Sequence, residues 1–253
     1  MGLAASFAFL GGLAAGSFIS VVAHRLPRGL SIVGPRSQCP SCGRQVAAYD
    51  NVPVFSYLLL RGRCRHCRVR ISVRYPAVEL GVGSAFLATV LVLWDDPTQL
   101  VLGLVFVATL AAVTLTDLER RIIPNRILLV SAFLGIAIAV VGDPGSLAQR
   151  AIWAAAAGGL LLLTALAYPK GMGMGDVKLA AVMGLFLGDA VAVALLVGFF
   201  SGALVGLSMI LREGGSARKR GIPFGPFLAL GGVVGLLAGD EMLDWYLRTF
   251  LQQ

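Results

Sequence analysis

Two aspartates lie at the ends of apolar segments in this chain and could do chemistry together. Asp117 lies in LTDLERRIIPN, and Asp176 lies in GMGMGDVKLA. A carboxylate beside a membrane-spanning segment is energetically costly, so it usually has a partner or a function. Two such carboxylates on one membrane face would form a candidate acid–base pair. Whether they share a face depends on the segments that lie between them.

The chemistry that such a pair could perform is aspartyl proteolysis. One carboxylate would deprotonate a water that attacks a peptide carbonyl, and the other, protonated, would donate to the carbonyl oxygen and then to the leaving amine. Two close carboxylates in a site of low dielectric share a proton, which supplies both the acid and the base. No Ser/His/Asp arrangement competes, because the two histidines, His24 and His66, lie together in one polar loop.

Each aspartate also has an ordinary explanation. Asp176 could be the N-cap of the helix that follows it. Asp117 could simply end a membrane span, with Arg120 or Arg121 as its ion-pair partner. For a single aspartate at a helix end, these structural explanations are favoured. Two aspartates on one membrane face, one of them next to a glycine-rich segment (171–175), favour a catalytic role instead.

The composition places the chain among polytopic all-α membrane proteins. It has 253 residues, of which 57% are hydrophobic and 13% charged, whereas a soluble domain has about 25% charged residues. The apolar residues form uninterrupted blocks, as in membrane-spanning helices. About eight spans are predicted, near 2–23, 77–93, 100–116, 125–141, 151–168, 176–188, 190–211 and 222–239.

The distribution of charge predicts the orientation of these spans. The first apolar block has no basic residue before it and is followed by His24, Arg25 and Arg28, an order opposite to that of a signal peptide. With the N-terminus outside, all but two of the 21 Lys and Arg residues, Arg150 and Arg248, belong to the cytoplasmic side. The basic residues that give the chain its net charge of +8 are thus accounted for by the orientation of the spans. Nucleic-acid binding is not expected, because the aromatic residues that would be interleaved with the basic ones are missing.

Topology and length together predict where the two aspartates lie. Two spans, 125–141 and 151–168, separate Asp117 from Asp176, so both should lie on the cytoplasmic face. From Asp176 to the outer turn at Gly188 the chain is only 13 residues long, which is about 20 Å of helix against a hydrocarbon core of ~30 Å. Asp176 should therefore lie below the inner membrane surface, in a water-accessible notch.

Glycines alternate just before Asp176, at Gly171, Gly173 and Gly175. Glycine lets another backbone approach closely. An extended substrate peptide could therefore lie along this segment.

The four cysteines form two CxxC pairs in the polar loop 24–76. Cys39 and Cys42 form the first pair, Cys64 and Cys67 form the second, and 21 residues separate the two pairs. This pattern predicts a four-thiolate zinc site with no open position, so the metal would be structural. Disulfides are disfavoured in a cytoplasmic loop, and His66, which could replace one thiolate, is expected to be solvated. The many arginines of the loop are expected to meet anionic lipid headgroups.

The chain resembles the type IV prepilin peptidases of bacteria, which are bifunctional leader peptidases and N-methyltransferases. The resemblance extends almost end to end and rests on several motifs in the same order. They are GSFISVVAHRLP (16–27), the two CxxC pairs, YDNVPVFSYLLLRGRCRHC (49–67), ISVRYPAVEL (71–80), TDLERRIIPN (116–125), GMGMGDVKLAA (171–181) and IPFGPFLALGG (222–232).

The resemblance implies a membrane peptidase whose catalytic pair is Asp117 and Asp176. Its substrates would be prepilins or pseudopilins with a short basic leader, cut after a glycine at the cytoplasmic face of the bacterial inner membrane. The new N-terminal residue would be methylated with S-adenosylmethionine. The implied substrate-binding residues are Gly173, Gly175, Lys178 and Glu79. The implied domains are a first transmembrane helix (1–23), a cytoplasmic zinc loop (24–76) and a transmembrane peptidase domain (77–253).

The methyltransferase activity has less support from the residues themselves. The chain has no glycine-rich nucleotide-binding loop of the Rossmann type. The resemblance points to the cytoplasmic loop and to Glu79, which could hold the substrate amine; alternatively, Glu79 could pair with Arg74 or simply lie at the membrane interface. Competing interpretations are a peptidase without methyltransferase activity, a transporter with buried carboxylates and a non-enzymatic scaffold with a zinc knuckle.

Overall fold

A computed structural model describes residues 1–169, 171–213 and 222–250. These residues contain α-helices joined by short 3-10 turns and loops, with no β-strand beyond two isolated bridges. The α-helices are α1 (Gly2–Arg25), α2 (Phe55–Leu59), α3 (Arg74–Val92), α4 (Pro97–Arg120), α5 (Asn125–Gly142), α6 (Leu147–Ala167), α7 (Met174–Leu187), α8 (Val191–Glu213) and α9 (Gly225–Phe250). The predicted all-α membrane architecture is confirmed.

Seven stretches of the described chain are long and apolar enough to cross a membrane. The longest of them, Met174–Arg212, has 39 residues and contains both α7 and α8. The predicted spans 176–188 and 190–211 lie within this stretch, so the predicted number of about eight agrees approximately with the structure. Gly188, with φ +60°, begins the 3-10 turn that separates the two helices.

The chain divides into two compact units, Met1–Leu91 and Val92–Gln253. In the first unit, α1 and α3 approach closely through small residues. A Cβ at Gly12 would lie 2.7 Å from the Cα of Gly83, and one at Gly16 would lie 2.8 Å from the Cα of Glu79. Because lipid supplies little hydrophobic drive for helix association, close packing at small residues is the usual way to hold such a pair.

The second unit has its own apolar core, to which helices from α4 to α9 contribute. Phe106 on α4 stacks on Phe186 on α7, with ring centroids 5.1 Å apart. Between α4 and α5, the hydroxyl groups of Thr109 and Ser131 share a buried hydrogen bond of 2.7 Å. This bond satisfies both polar groups inside an otherwise apolar interface.

Small residues also set the spacing of two helix pairs in the second unit. On α9, Gly231, Gly235 and Gly239 recur every four residues and face Ala190 and Ala194. A Cβ at Gly231 would collide with the carbonyl oxygen of Ala194. The α8–α9 pair is thus held at backbone contact, as in other small-xxx-small interfaces.

The pair α6–α7 has the same kind of contact. A Cβ at Gly184 on α7 would collide with the carbonyl group of Trp153 on α6, and one at Gly158 would lie 2.9 Å from the Cβ of Ala181. Helix α7 has 14 residues, which is about 21 Å and short for a span.

Candidate active site and metal centre

Three helix ends meet at one end of the second unit and carry the two aspartates. Helices α4, α7 and α9 pack against one another. Asp117 lies in the last turn of α4, Asp176 lies in the first turn of α7, and Gly225 begins α9. The structure therefore brings to one site residues that are far apart in the sequence.

Asp117 is held by backbone groups. Its side chain is buried, with 6% exposure, and its Oδ2 accepts a hydrogen bond of 2.9 Å from the N–H of Gly225. Its own carbonyl accepts the N–H of Arg121 at 2.8 Å. Arg121 ends α4 in the left-handed conformation, with φ +54°, and its charge interacts with the carboxylate. One of the two ion-pair partners expected from the sequence therefore lies within electrostatic range of Asp117.

Gly225 is a part of the site that the sequence interpretation did not single out. A Cβ at this position would lie 2.8 Å from Oδ2 and 3.2 Å from Cγ of Asp117, too close for any larger residue without movement. The available signal was the Gly225–Pro226 pair within IPFGPFLALGG, because proline favours the first turn of a helix. The N–H of Gly225 lies at the N-terminus of α9, where backbone N–H groups have no partner within the helix. It is therefore available to an anion.

Asp176 is the third residue of its helix, and the prediction that it could be the N-cap is corrected. Gly173 occupies the N-cap position. The Oδ2 of Asp176 accepts the N–H of Gly173 at 3.2 Å, while the N–H of Asp176 donates to the Gly173 carbonyl at 3.1 Å. The bond from the Gly173 N–H to the Asp176 side chain is one half of a capping box. Glycine has no side chain to supply the other half, and its backbone carbonyl accepts the N–H of Asp176 instead.

The carboxyl groups of Asp117 and Asp176 lie within electrostatic range of each other. Each has one oxygen in a backbone hydrogen bond that fixes its orientation. Neighbouring carboxylates in a partly buried site tend to hold one proton between them. The arrangement can therefore supply a general base and a general acid at the same place.

Two other predicted residues tie the start of α7 to its neighbours. Lys178 Nζ donates to Asn125 Oδ1 at 3.0 Å, which links α7 to the first residue of α5. A Cβ at Gly175 would lie 2.9 Å from the Cβ of Ile123, so this glycine permits close packing against the turn after α4. Their role in binding substrate, and that of Gly173, remains a prediction.

Glu79 has a partner within the first unit. It is buried on α3, with 7% exposure, and its Oε2 accepts the backbone N–H of Val54 at 2.7 Å. Val54 has φ +62° and ψ −51°, a conformation that is rare for a β-branched residue. Glu79 thus stabilises a strained turn before α2, and the predicted contact of Glu79 with a substrate amine remains a prediction.

The four cysteines of the first unit converge on one point. One sulfur atom from each of Cys39, Cys42, Cys64 and Cys67 lies within 4.8 Å of all the others, and Cys39 Sγ lies 3.7 Å from Cys67 Sγ. Tetrahedral zinc with Zn–S bonds of ~2.3 Å requires sulfur–sulfur separations of about 3.8 Å. All four cysteines are free thiols, and their geometry fits a metal such as zinc.

The two CxxC turns have the same backbone geometry. In each, the N–H of the residue four positions after the first cysteine, Gly43 or Arg68, donates to that cysteine's carbonyl. Both of these residues have positive φ, +68° and +60°. The N–H groups of Cys42 and then Ser41 bond to the sulfur of Cys39 and lower its pKa to about 6, which favours the thiolate that a metal requires.

Polar contacts connect the second CxxC turn to the rest of the loop. Arg65 donates two hydrogen bonds to Asp50, of 2.8 and 2.6 Å, and its guanidinium group lies over the ring of Tyr49. These bonds hold the pKa of the Asp50 carboxyl below its usual value. His66 shares a 3.1 Å contact with Arg44 and is not part of the cysteine cluster, in agreement with the prediction.

Comparison with known proteins identifies the family. Residues 10–93 match the family described as "Bacterial Peptidase A24 N-terminal domain", and residues 104–207 match the "Type IV leader peptidase family". A protein of Aeromonas hydrophila named "Prepilin leader peptidase/N-methyltransferase" is 36% identical over 281 residues, covering 97% of this chain and 94% of that protein.

Two further relatives carry the same name. That of Bacillus subtilis (strain 168) is 36% identical and covers 97% of this chain and 99% of its own length. That of Burkholderia pseudomallei (strain K96243) is 37% identical, covering 94% of this chain and 86% of its own length. No solved structure matches the chain significantly. The chain is an enzyme and belongs to the type IV leader peptidase family.

Proposed function

We propose that this chain is an aspartyl endopeptidase of the bacterial inner membrane that removes a short basic leader from type IV prepilins or pseudopilins. We further propose that it N-methylates the newly exposed residue. The observation that carries the proposal is the meeting of Asp117 and Asp176, which lie on helices separated by two spans in the sequence, at one end of the helix bundle.

The proposed mechanism assigns one protonation state to each carboxyl group. The ionised member of the Asp117–Asp176 pair takes a proton from a water as it attacks the scissile carbonyl. The protonated member donates its proton to the carbonyl oxygen, which gives a tetrahedral diol. As the diol collapses, the carboxyl group that took the water proton donates it to the leaving amine, and a diol hydroxyl returns a proton to the other carboxylate. The N–H groups of Gly225 and Gly173 hold the two side chains in orientation while their protons move.

The substrate would reach the pair along the glycine-rich segment before α7. A peptide backbone can approach Gly173 and Gly175 closely, and Lys178 lies one helical turn beyond them. Cleavage would follow a glycine of the substrate at the cytoplasmic face, as the positive-inside distribution of Lys and Arg favours. The basic loop would contact anionic lipid headgroups.

Methylation would take place in the first unit, Met1–Leu91. S-adenosylmethionine would supply the methyl group, and Glu79, buried beside the strained turn at Val54, would hold the substrate amine. The names of the relatives support this second activity. Zinc held by Cys39, Cys42, Cys64 and Cys67 would stabilise the predicted loop 24–76 and take no part in the reaction.

The experiment is a mass-spectrometric assay of purified protein in detergent with a prepilin substrate and S-adenosylmethionine. The wild-type protein should release the leader after a glycine and add one methyl group to the new N-terminus. Asp117→Asn and Asp176→Asn should leave the leader attached but should still methylate a substrate from which the leader has already been removed. Asp95→Asn, an exposed aspartate between α3 and α4, is the matched control.

Three results would contradict parts of the proposal. Leader removal by either active-site variant at the wild-type rate would exclude the assigned pair. A wild-type protein that cleaves but transfers no methyl group would be a peptidase alone. A wild-type protein with neither activity would contradict both proposed reactions.

A further inference from the structure

Arg150 is one of the two basic residues that the predicted topology does not place on the cytoplasmic side, and the structure shows an unusual environment for it. It lies in the first turn of α6, with only 4% exposure. A charged side chain that is buried in a membrane helix is costly and so usually serves a function.

The guanidinium group of Arg150 binds the last turn of α7. Its Nη1 donates to the carbonyl oxygens of Leu185 at 3.1 Å and Phe186 at 2.8 Å, and its Nε donates to Ser146 Oγ at 3.0 Å. The last carbonyls of a helix lack partners within the helix. A cation there also interacts favourably with the helix dipole. Arg150 therefore fastens the end of α7 to the start of α6.

Carboxylates balance the buried charge of Arg150. Asp143 and Asp96 lie within electrostatic range of it. All three line a cavity of about 300 Å³ that Asp189 and Asp240 also line. A buried charge that is hydrogen-bonded and lies near groups of opposite charge costs less than an isolated one, and the hydrogen bonds to Ser146, Leu185 and Phe186 supply the rest of the compensation.

Other contacts fix the same end of α7 against α4, the helix that carries Asp117. Phe186 stacks on Phe106 of α4. Its ring also fills the space beside Gly135 of α5, where a Cβ would lie 2.9 Å from the ring. On the α6 side, Gly184 is in backbone contact with Trp153. The end of α7 is therefore held on three sides.

We propose that Arg150 is a positioning residue that sets the register of α7 so that Asp176 meets Asp117. Leu185 lies nine residues after Asp176 on the same helix, a distance of about 14 Å along its axis. A helix of this length moves nearly as a rigid body, so a small shift of its last turn, held by packing alone once the bonds to Arg150 are lost, is transmitted to its first turn. This inference rests on the proposed function, because it concerns the same pair of aspartates.

A purely structural role would give a different pattern of activities. If Arg150 only stabilised the protein, its loss would reduce leader cleavage in step with the folded fraction, and kcat per folded molecule would not change. If it positions Asp176, its loss would lower kcat for cleavage and spare methylation, which is assigned to the first unit. Displacement of a catalytic group by 1 Å can cost about a hundredfold in rate.

The test compares Arg150→Met, Arg150→Lys and Arg248→Met with the wild-type protein. Arg248 is the other basic residue outside the cytoplasmic segments, and it is exposed and paired with Asp244 at 3.6 Å. For Arg150→Met we expect kcat for leader cleavage to fall by at least about tenfold, with KM and the methylation of a pre-cleaved substrate close to wild type. Arg150→Lys should recover part of the rate, and Arg248→Met should match wild type.

Unchanged kcat in Arg150→Met would overturn the inference, as would a parallel loss of both activities that lysine does not rescue. If Arg150→Met does not fold, Ser146→Ala, which removes only the bond to Nε, should lower kcat by a smaller factor. A wild-type kcat in Ser146→Ala would also overturn the inference.

Asp176→Asn is measured in parallel. If it still cleaves, the proposed function fails; if it is inactive while Arg150→Met is fully active, only the role of Arg150 fails.

Discussion

Backbone groups, more than side chains, orient the two carboxylates. Asp117 depends on an N–H of α9 and Asp176 on an N–H at the start of its own helix. Glycine supplies both donors, because a side chain at Gly225 would press on the carboxylate of Asp117. The orientation of the two carboxyl groups, which the proposed mechanism requires, therefore depends on two glycines that have no side chain.

Gly225→Ala should reduce leader cleavage without abolishing folding. The added Cβ would lie 2.8 Å from Asp117 Oδ2, so the carboxylate or the start of α9 must shift. A shift of this size should lower kcat by at least about tenfold. The control is Gly206→Ala on α8, where a Cβ would meet nothing within 4 Å. Equal rates for the two variants would show that Gly225 does not position Asp117.

Sequence alone singled out both carboxyl groups of the candidate site but missed some of their contacts. Asp117 and Asp176 could be predicted because a carboxylate at the end of an apolar span is conspicuous. The role of Gly225 could not, because it depends on the approach of α9 to α4, and the sequence does not state which helices are neighbours. The hydrogen bond from the Val54 N–H to Glu79 could not be predicted either. It depends on the positive φ of Val54, which cannot be foreseen from residue type.

The helices of the second unit are held in place by backbone contact at small residues. Gly231, Gly235 and Gly239 bring α9 against α8, and Gly184 brings α7 against α6. The predicted spans agree well with the helices because apolar length is a strong signal. The glycine stripes were not recognised as interfaces, because a glycine in an apolar segment does not reveal what lies opposite.

Gly231→Ala should destabilise the protein. The new Cβ would collide with the Ala194 carbonyl, and α8 and α9 would have to separate. Overpacking of this kind costs about 1–3 kcal/mol, so the thermal unfolding midpoint in detergent should fall clearly. Gly206→Ala again provides the control, because alanine is at least as good a helix former as glycine. The same midpoint for both variants would contradict the close α8–α9 contact.

The two units of the molecule carry different chemistry. The first, Met1–Leu91, contains the four-cysteine cluster and Glu79, whereas the second, Val92–Gln253, contains both aspartates. The CxxC pattern was sufficient to predict that the cysteines converge, because only a few arrangements of two such turns can satisfy one ion. The contact between Arg65 and Asp50 depends on how the loop folds and was not foreseen.

Metal removal should unfold the loop and leave the membrane helices intact. Elemental analysis of protein purified under reducing conditions should find one zinc per chain. A strong chelator should then expose the arginine-rich loop to trypsin while the helical circular dichroism persists, because metal binding and local folding are coupled. Cys39→Ser should mimic the chelator. Protein without metal, or a loop whose protection does not change, would contradict this assignment.

The most direct test of the central claim is the kinetic comparison of Asp117→Asn, Asp176→Asn and the double variant on one prepilin substrate. Two carboxyl groups that share a proton act as one unit, so each single substitution should remove almost all catalysis. The double variant should then be no slower than either single variant, because the effects of residues that act together are not additive. Substantial activity in either single variant, or a double variant slowed by the product of the two single effects, would contradict the paired site.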